Sequence, residues 1–216
     1  MKNLILFGGS GGIGTKLTPL LSKDYNVCSL SSKDVDVTNF LEVKDFFLGN
    51  VADIVVNLSG YNYNTFLHKY SEDNLAKRQK QINVTVNGSL NILTNCLPQM
   101  RKRNYGRIIL TSSILSSKPV VGTSVYSGCK AFIDNLAKTC TIENLSKGIT
   151  CNTLQLGYMD GGLTYEVPEP FRTKVKETMP LKRWGTIKEI ENTIRYLINT
   201  EYVSGCSMKV NGGLDF

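Results

Sequence analysis

The chain has 216 residues, of which 41% are hydrophobic and 20% are charged, so its composition is that of a globular protein and its length suits one domain over residues 1–216. No apolar stretch is long enough to span a membrane, and Met1–Phe7 is too short for a secretory signal, so we expect a cytoplasmic protein without a membrane partner. The basic residues behind the net charge of +7 are mostly scattered, and the densest cluster, residues 101–107, has only Tyr105 interleaved, which is no stacking platform for nucleic acid. An anionic cofactor or carrier is left to consider.

Six short apolar runs predict the strands of one parallel sheet. Most of them are continuous rather than alternating hydrophobic runs, as expected for parallel strands that are covered on both faces. The predicted strands are Asn3–Phe7, Asn26–Leu30, Asp53–Leu58, Arg107–Thr111, Thr150–Leu156 and Ser207–Val210.

Segments of helical character alternate with these strands. The predicted helices are Gly12–Lys23, Phe40–Leu48, Asp73–Leu97, Ser124–Ser146 and Lys188–Thr200. Alternation without a linker or a break in composition predicts a single α/β domain, a Rossmann-like doubly wound parallel sheet with right-handed crossovers. The six cysteines form no C-x-x-C pair and only one histidine is present, so we expect buried free thiols and no metal site.

The connection after the second strand is unusually short. Only Ser31–Val35 separates that strand from Asp36, whereas a parallel crossover that carries a helix and a further strand needs about a dozen residues. We therefore expect a sheet that is shortened by one helix-strand unit on this side.

A glycine-rich segment, Phe7–Gly14, follows the first strand and opens the first helix. Glycine lets the chain turn sharply, and its missing Cβ lets backbone N–H groups approach a pyrophosphate, while the helix N-terminus adds partial positive charge. This position in the chain favours a dinucleotide phosphate loop over a flexible surface turn. The residues expected to contact the cofactor here are Gly8, Ser10, Gly11, Gly12, Ile13 and Gly14.

The residues after the second strand bear on the choice between NAD and NADP. An acid at this place accepts hydrogen bonds from the ribose 2′-hydroxyl and repels a 2′-phosphate. Two hydroxyl donors and a cation, Ser31, Ser32 and Lys33, stand here instead, which favours NADP (NADPH) over NAD. Asp34 follows directly and weakens this preference if the turn directs it inward.

Further motifs over nearly the whole chain resemble those of the short-chain dehydrogenase/reductase family. The C-terminal motifs resemble those of its bacterial 3-oxoacyl-[acyl-carrier-protein] reductase branch. The matching motifs are Gly8, Gly12 and Gly14; Asp36-Val37; Asn57-Leu58-Ser59-Gly60; Ser113, 13 positions before Tyr126-Ser127-Gly128-Cys129-Lys130; Pro180–Gly185; and Val210–Gly213. The resemblance implies a hydride-transferring oxidoreductase on a Rossmann fold. The further cofactor contacts that it implies are Asp36, Val37, Asn57, Ser59, Gly60, Tyr126, Lys130, Gly157 and Met159.

Three side chains form the expected proton-transfer group. Tyr126 and Lys130 are four residues apart on a predicted helix, so both side chains lie on one face. A tyrosine ordinarily titrates near about 10, and a neighbouring ammonium favours the phenolate, so the pair is suited to exchange a proton with a substrate oxygen. Ser113 can hydrogen-bond that oxygen as its charge develops. By resemblance, Asn83 completes a proton relay by holding a water against Lys130.

Three positions depart from the family pattern. Phe7 stands where a threonine usually braces the glycine loop, Leu156 replaces the proline of a Pro-Gly pair, and Gly161 replaces a threonine that often anchors the nicotinamide carboxamide. Backbone groups near Met159 are the alternative anchor. Because the four catalytic positions are retained, we expect an active enzyme.

These features predict reduction of a small-molecule carbonyl to an alcohol, or the reverse reaction. The expected substrate loop, Gly162–Met179, mixes aromatic, acidic and basic residues, so two substrate classes stay open. One is a 3-oxoacyl thioester, free or bound to a carrier, and the other is a sugar or other polar metabolite. A non-catalytic NADP-binding sensor or scaffold is a third interpretation, which the retained catalytic residues oppose.

Two expectations concern partner proteins. By resemblance, the helices Asp73–Leu97 and Ser124–Ser146 form a dimer interface, so we expect a homodimer or a homotetramer. Also by resemblance, Arg103 and Lys147 lie near a basic patch beside the mouth of the active site, which would attract an acidic acyl carrier protein. Solvated loop cations are the alternative interpretation of the same two residues.

Overall fold

A six-stranded sheet forms the centre of the computed structural model, which describes residues 1–214 apart from the side chain of Phe171. The strands are β1 Asn3–Phe7, β2 Asn26–Leu30, β3 Ile54–Asn57, β4 Gly106–Ser113, β5 Ile149–Leu156 and β6 Ser207–Val210. All neighbouring pairs are parallel, and the strand order in space is β2-β1-β3-β4-β5-β6. The predicted parallel α/β architecture and its six strands are therefore confirmed.

The helices cover both faces of this sheet. Within the described residues the α-helices are α1 Gly14–Leu21, α2 Phe40–Gly49, α3 Leu75–Ile82, α4 Gly88–Arg103, α5 Ser124–Asn144, α6 Phe171–Thr178 and α7 Ile187–Asn199. Side chains fix the start of two of them, because Asn39 accepts hydrogen bonds from backbone N–H groups of α2, and Thr186 forms a reciprocal capping box with Glu189 of α7. None of the helices in this part of the chain combines the length and the hydropathy needed to cross a membrane.

One predicted helix differs from the structure. The segment predicted as Asp73–Leu97 is divided into α3 and α4 by a π-helical turn, Asn83–Asn87, and α4 continues to Arg103. Pro98 lies inside α4 without ending it, whereas Asn104 ends the helix in the left-handed conformation with φ 51°. The short helix α6 was not predicted, because its exposed and largely charged sequence shows no apolar face.

The sheet separates two apolar cores. Ile5 and Phe7 of β1 face the core that α2, α4 and α5 cover, whereas Leu4 and Leu6 face the core that α1 and α7 cover. Successive side chains of a strand point to opposite faces, so a strand that is buried on both faces is apolar at every position. This arrangement explains the continuous apolar runs of the sequence.

Strand β2 lies at the edge of the sheet, since no further strand of the described chain pairs with its outer side. The dinucleotide-binding folds with strand order 3-2-1-4-5-6 carry one more strand there. Here residues 31–39 turn directly into α2, and Val35 and Val37 of that turn are buried against the core. The expected loss of one helix-strand unit is confirmed.

Candidate active site

The carboxyl ends of neighbouring strands meet at one edge of the sheet, which is where open α/β sheets bind ligands. The candidate residues come to this edge from five strands: residues 8–14 follow β1, Ser31 follows β2, Asn57 ends β3, Ser113 ends β4 and Gly157 follows β5. Two cavities of about 630 and 290 Å³ lie here and share Gly8 and Gly60 in their walls. Together they form one elongated cleft.

Most of the candidate residues line this cleft. The larger cavity is lined by Gly8, Gly11, Gly12, Ile13, Gly14, Gly60, Ser113, Tyr126, Lys130, Gly157 and Met159. The smaller cavity adds Ser10, Ser31, Ser32, Asp36, Val37 and Ser59. Lys33, Asn57 and Asn83 are in neither wall.

The glycine loop has the geometry of a phosphate-binding turn. Gly8 has a φ of +79°, and a Cβ there would lie 2.7 Å from the backbone nitrogen of Ser59, so the turn excludes any side chain. The N-terminus of α1 follows at Gly14 and adds partial positive charge to the same cavity. The cleft runs from Asp36 past this loop to Tyr126, so its residues fit an elongated dinucleotide with the pyrophosphate at the loop.

Ser113, Tyr126 and Lys130 form one wall of the larger cavity, which we call the catalytic wall. Tyr126 and Lys130 lie one turn apart on α5, and Lys130 Nζ is 5.7 Å from the centre of the Tyr126 ring. Burial raises the pKa of Tyr126 to about 12, and the Ser113 hydroxyl acts in the opposite direction. Burial lowers the pKa of Lys130 to about 8. At neutral pH the Tyr126 phenol is therefore protonated, and Lys130 is positively charged in most of the molecules.

A chain of hydrogen bonds holds Lys130 from behind. Lys130 Nζ donates to the Thr111 carbonyl oxygen at 2.7 Å, and the Thr111 hydroxyl donates to the Asn57 carbonyl oxygen at 2.8 Å. Asn57 Nδ2 in turn donates to Ser89 Oγ at 3.1 Å. Asn57 thus braces the catalytic wall instead of lining the cofactor cleft. Sequence reasoning missed Thr111, although its position two residues before Ser113 on one strand was a usable signal.

Asn83 is placed differently from the other three catalytic candidates. Its Oδ1 accepts hydrogen bonds from Gln79 Nε2 at 2.9 Å and from Asn87 Nδ2 at 3.0 Å. These three side chains are spaced by four residues and form a polar row on the α3–α4 surface. The side chain of Asn83 is therefore engaged along its own helix, and the expected relay through a water to Lys130 stays a prediction.

The smaller cavity carries the residues that bear on the cofactor's 2′ position. Asp34 Oδ2 accepts two hydrogen bonds from Ser31, one from its N–H at 2.8 Å and one from its hydroxyl at 2.6 Å, and these lower the pKa of Asp34. Ser32 lines the cavity and keeps its hydroxyl free of Asp34, whereas Lys33 does not line it. Lys80 also lines this cavity and was not singled out from the sequence. Asp34 lines neither cavity, but its bonds to Ser31 place a carboxylate beside the smaller one, which opposes the sequence-based preference for NADP.

Residues 157–185, which we call the cover segment, contain a 3-10 helix, Gly162–Glu166, followed by α6. Its first part lines the larger cavity through Gly157, Met159 and residues 161–166. A Cβ on Gly12 would lie 2.6 Å from the nitrogen of Gly162, so the cover segment touches the glycine loop at a point with no room for side chains. The Met159 N–H, the expected alternative anchor, donates to Thr164 Oγ1 at 3.0 Å. Lys16, Leu163, Tyr165 and Glu166 also line this cavity. The last three belong to the expected substrate loop, Gly162–Met179, whereas Lys16 was not a candidate because no local pattern marks it.

The two basic residues expected at the mouth lie elsewhere. Arg103 ends α4 and Lys147 precedes β5, so both stand at the amino ends of the strands. Arg103 Nη2 donates to the Ala52 carbonyl oxygen and lies 3.6 Å from Asp53 Oδ1. The cavity opens at the opposite edge, one strand length of about 26 Å away for an eight-residue strand such as β4. The prediction that these residues flank the mouth is wrong within the single chain.

Comparison with known proteins identifies the class of this site. The family described as Enoyl-(Acyl carrier protein) reductase matches residues 24–215, a range that begins after the glycine loop. Acetoacetyl-CoA reductase of Allochromatium vinosum is 30% identical over 97% of this chain and 97% of its own length. A 3-oxoacyl-[acyl-carrier-protein] reductase of Staphylococcus epidermidis is 28% identical over 99% of this chain and 98% of its own length.

A solved structure has the same fold. A protein assigned as a gluconate dehydrogenase, from Agrobacterium tumefaciens, superposes with a TM-score of 0.86 and covers 99% of this chain and 95% of its own. Its sequence identity is 22%, so this likeness concerns the architecture alone. The whole chain, including the glycine loop outside the family match, is thus accounted for by one known fold.

Proposed function

The chain belongs to the short-chain dehydrogenase/reductase family, and from this premise we propose that it reduces a carbonyl to an alcohol with NADPH. Members of this family are NAD(P)-dependent oxidoreductases that act on CH–OH and C=O groups. The observation that carries the proposal is the catalytic wall, because Ser113, Tyr126 and Lys130 line one cavity with the glycine loop. A non-catalytic dinucleotide sensor needs the loop but has no use for a proton donor beside it.

The cleft's residues suggest a division of labour. When bound, the nicotinamide cofactor supplies the hydride that adds to the carbonyl carbon. Tyr126, protonated at neutral pH, gives its proton to the carbonyl oxygen, and the Ser113 hydroxyl orients that oxygen. The positive charge of Lys130 stabilises the phenolate left behind. In the reverse direction the same groups remove the proton of an alcohol.

The preference for NADPH over NADH is a finer proposal and depends on the smaller cavity. The Ser32 hydroxyl and the Lys80 ammonium line it and suit a 2′-phosphate, while Asp34 opposes that phosphate from beside Ser31. We expect a preference that is present but small. Cytoplasmic location and assembly into a homodimer or homotetramer through α4 and α5 are proposed on resemblance, and the mass of the protein in solution would test the assembly.

The substrate has two candidate classes. Relatives named for 3-oxoacyl-[acyl-carrier-protein] and acetoacetyl-CoA reduction favour a 3-oxoacyl thioester. The mixed polar lining of the cover segment favours a sugar or another polar metabolite. A carrier-bound substrate loses part of its basis, since Arg103 and Lys147 lie at the other edge of the sheet.

One experiment tests the core of the proposal. The purified protein is mixed with NADPH or NADH and a panel of carbonyl compounds, and oxidation of the cofactor is followed by its absorbance, with Tyr126→Phe as the paired variant. We expect oxidation that depends on both the carbonyl and Tyr126. Binding of NADPH without turnover of any carbonyl would favour the sensor interpretation.

A further inference from the structure

The cover segment carries four carboxylates, of which one, Glu177, lies on exposed α6 outside the cavity and two are committed to neighbours. Asp160 accepts a hydrogen bond from the Tyr165 hydroxyl, and Glu169 binds the Arg172 guanidinium at 2.8 Å. Glu166 makes no such hydrogen bond or ion pair within residues 1–214, and it is the one of the four that lines the cavity. An uncommitted carboxylate thus faces the space in which a substrate must bind.

Glu166 shares this space with the groups that transfer the proton. Ser113 and Tyr126 line the same cavity. Burial is the main cause of the raised pKa of Tyr126, and the negative charge of Glu166 adds to it. A carboxylate in this position opposes formation of the phenolate, so a substrate group that hydrogen-bonds to Glu166 would relieve part of that effect.

The carboxylate of Glu166 disfavours an anionic substrate group beside it, because like charges repel. Lys16 Nζ donates to the Asp160 carbonyl oxygen at 3.2 Å, Lys130 is held by Thr111, and Arg172 is paired with Glu169. Lys16 and Lys130 keep their charges, but no cation within residues 1–214 forms an ion pair with Glu166. A carboxylate acceptor instead forms strong, charge-assisted hydrogen bonds with hydroxyl donors.

We propose that the substrate is a neutral hydroxyketone, such as a keto sugar, whose hydroxyl group beside the carbonyl donates a hydrogen bond to Glu166. The inference rests on the proposed carbonyl reduction and names its substrate class. Ser113 and Tyr126 contact the carbonyl oxygen, hydride adds to the carbonyl carbon, the Tyr126 proton goes to the oxygen, and the product is a vicinal diol. Glu166 takes no part in the proton transfer and acts in recognition.

The test compares three small ketones that differ in one group, which are acetone, hydroxyacetone and aminoacetone, together with acetoacetyl-CoA. We expect kcat/KM for hydroxyacetone to exceed that for acetone by about 10-fold or more, as for a hydrogen bond to a charged acceptor. Glu166→Leu should remove this advantage, mainly by raising KM, and leave acetone almost unchanged. Glu177→Gln, which removes a charge from exposed α6 outside the cavity, is the matched control and should change neither substrate.

A second readout separates recognition from a merely structural role. Because the charge of Glu166 raises the pKa of Tyr126, Glu166→Gln should shift the pH profile of alcohol oxidation to lower pH with every substrate. Circular dichroism confirms that each variant is folded.

The outcomes are distinct. If Glu166→Leu lowers acetone and hydroxyacetone turnover by the same factor, recognition by Glu166 is refuted and carbonyl reduction stands. Preference for aminoacetone or acetoacetyl-CoA refutes the substrate class and assigns an amine or a thioester in its place. Failure of every carbonyl to oxidise NADPH or NADH refutes the proposed function itself, and this inference with it.

Discussion

The catalytic wall and the cover segment enclose the same cavity, but they are held in place by different kinds of interaction. Ser113 ends a strand and Tyr126 and Lys130 lie on a long helix, so backbone hydrogen bonds fix their spacing, and Lys130 is buried and bonded to Thr111. The cover segment has a 3-10 helix, a short polar helix and two adjacent glycines with positive φ, and Tyr165 within it is 52% exposed. A preorganised wall suits chemistry, while a weakly packed cover suits binding and release.

This difference predicts that changes in the catalytic wall affect turnover and that changes in the cover segment affect binding. The largest effect should come from Tyr126→Phe, because it removes the proposed proton donor and leaves the ring packing in place. We expect kcat to fall by at least about 100-fold, with the affinity for cofactor and the thermal midpoint unchanged. Steady-state kinetics measure kcat, and a titration measures the affinity for the cofactor. A turnover within a few-fold of the unaltered protein would mean that the proton comes from another group.

The pH dependence of kcat/KM tests the role of the Lys130 charge in the same wall. Its lowered pKa of about 8 means that the ammonium is present below about pH 8 and is lost as the pH rises through that value. Since this charge stabilises the phenolate in the proposed reaction, kcat/KM for carbonyl reduction should be level below about pH 8 and fall by about tenfold per pH unit above it. In Lys130→Arg, whose side chain stays charged, the fall should disappear even if the rate is lower. If kcat/KM of this variant still falls above about pH 8, the fall is caused by the titration of another group.

The next prediction concerns the cover segment, at its contact with the glycine loop on the other side of the cavity from the catalytic wall. Gly12→Ala places a methyl group 2.6 Å from Gly162 N, so the cover segment must move away from the loop. Overpacking of this kind costs about 1–3 kcal/mol, and we expect cofactor affinity to weaken by roughly 10-fold with a smaller change in kcat. Gly49→Ala is the control, since a Cβ there meets no atom within 4 Å. Equal affinities for the two variants would show that the contact has no part in binding.

The smallest effect should come from Asp34, at the far end of the cleft from both regions. Asp34→Asn removes a negative charge beside Ser31 and keeps its shape, so NADPH should bind tighter by a few-fold while NADH changes little. Ser32→Asp should act in the opposite direction and weaken NADPH. Fluorescence titration of both cofactors measures the ratio, and high salt should reduce the effect of Asp34→Asn. Tighter binding of NADH than NADPH by the unaltered protein would refute the proposed preference.

The sequence by itself determined the parts of the molecule that obey a local rule. The continuous apolar runs predicted the parallel strands, because the inner strands are covered on both faces. The short connection after Leu30 predicted the lost unit, because too few residues are present to form it. The four-residue spacing of Tyr126 and Lys130 placed them on one helix face, since the helical repeat is fixed by backbone geometry. The glycine loop was predictable for the same reason, as glycine is needed where the backbone turns with positive φ.

Only the tertiary structure decided the features that depend on residues distant in the sequence. The sequence did not indicate the hydrogen bonds of Asn83, whose side chain accepts from Gln79 and Asn87 in the structure. Asp34 was ambiguous until the turn brought it onto Ser31, and Arg103 and Lys147 were assigned to the mouth although they stand at the amino ends of the strands. Glu166 reaches the cavity because residues 157–185 fold back over the glycine loop, a contact between Gly12 and Gly162 that leaves no local pattern in the chain. Such contacts join separate elements, so their outcome depends on packing and not on periodicity or propensity.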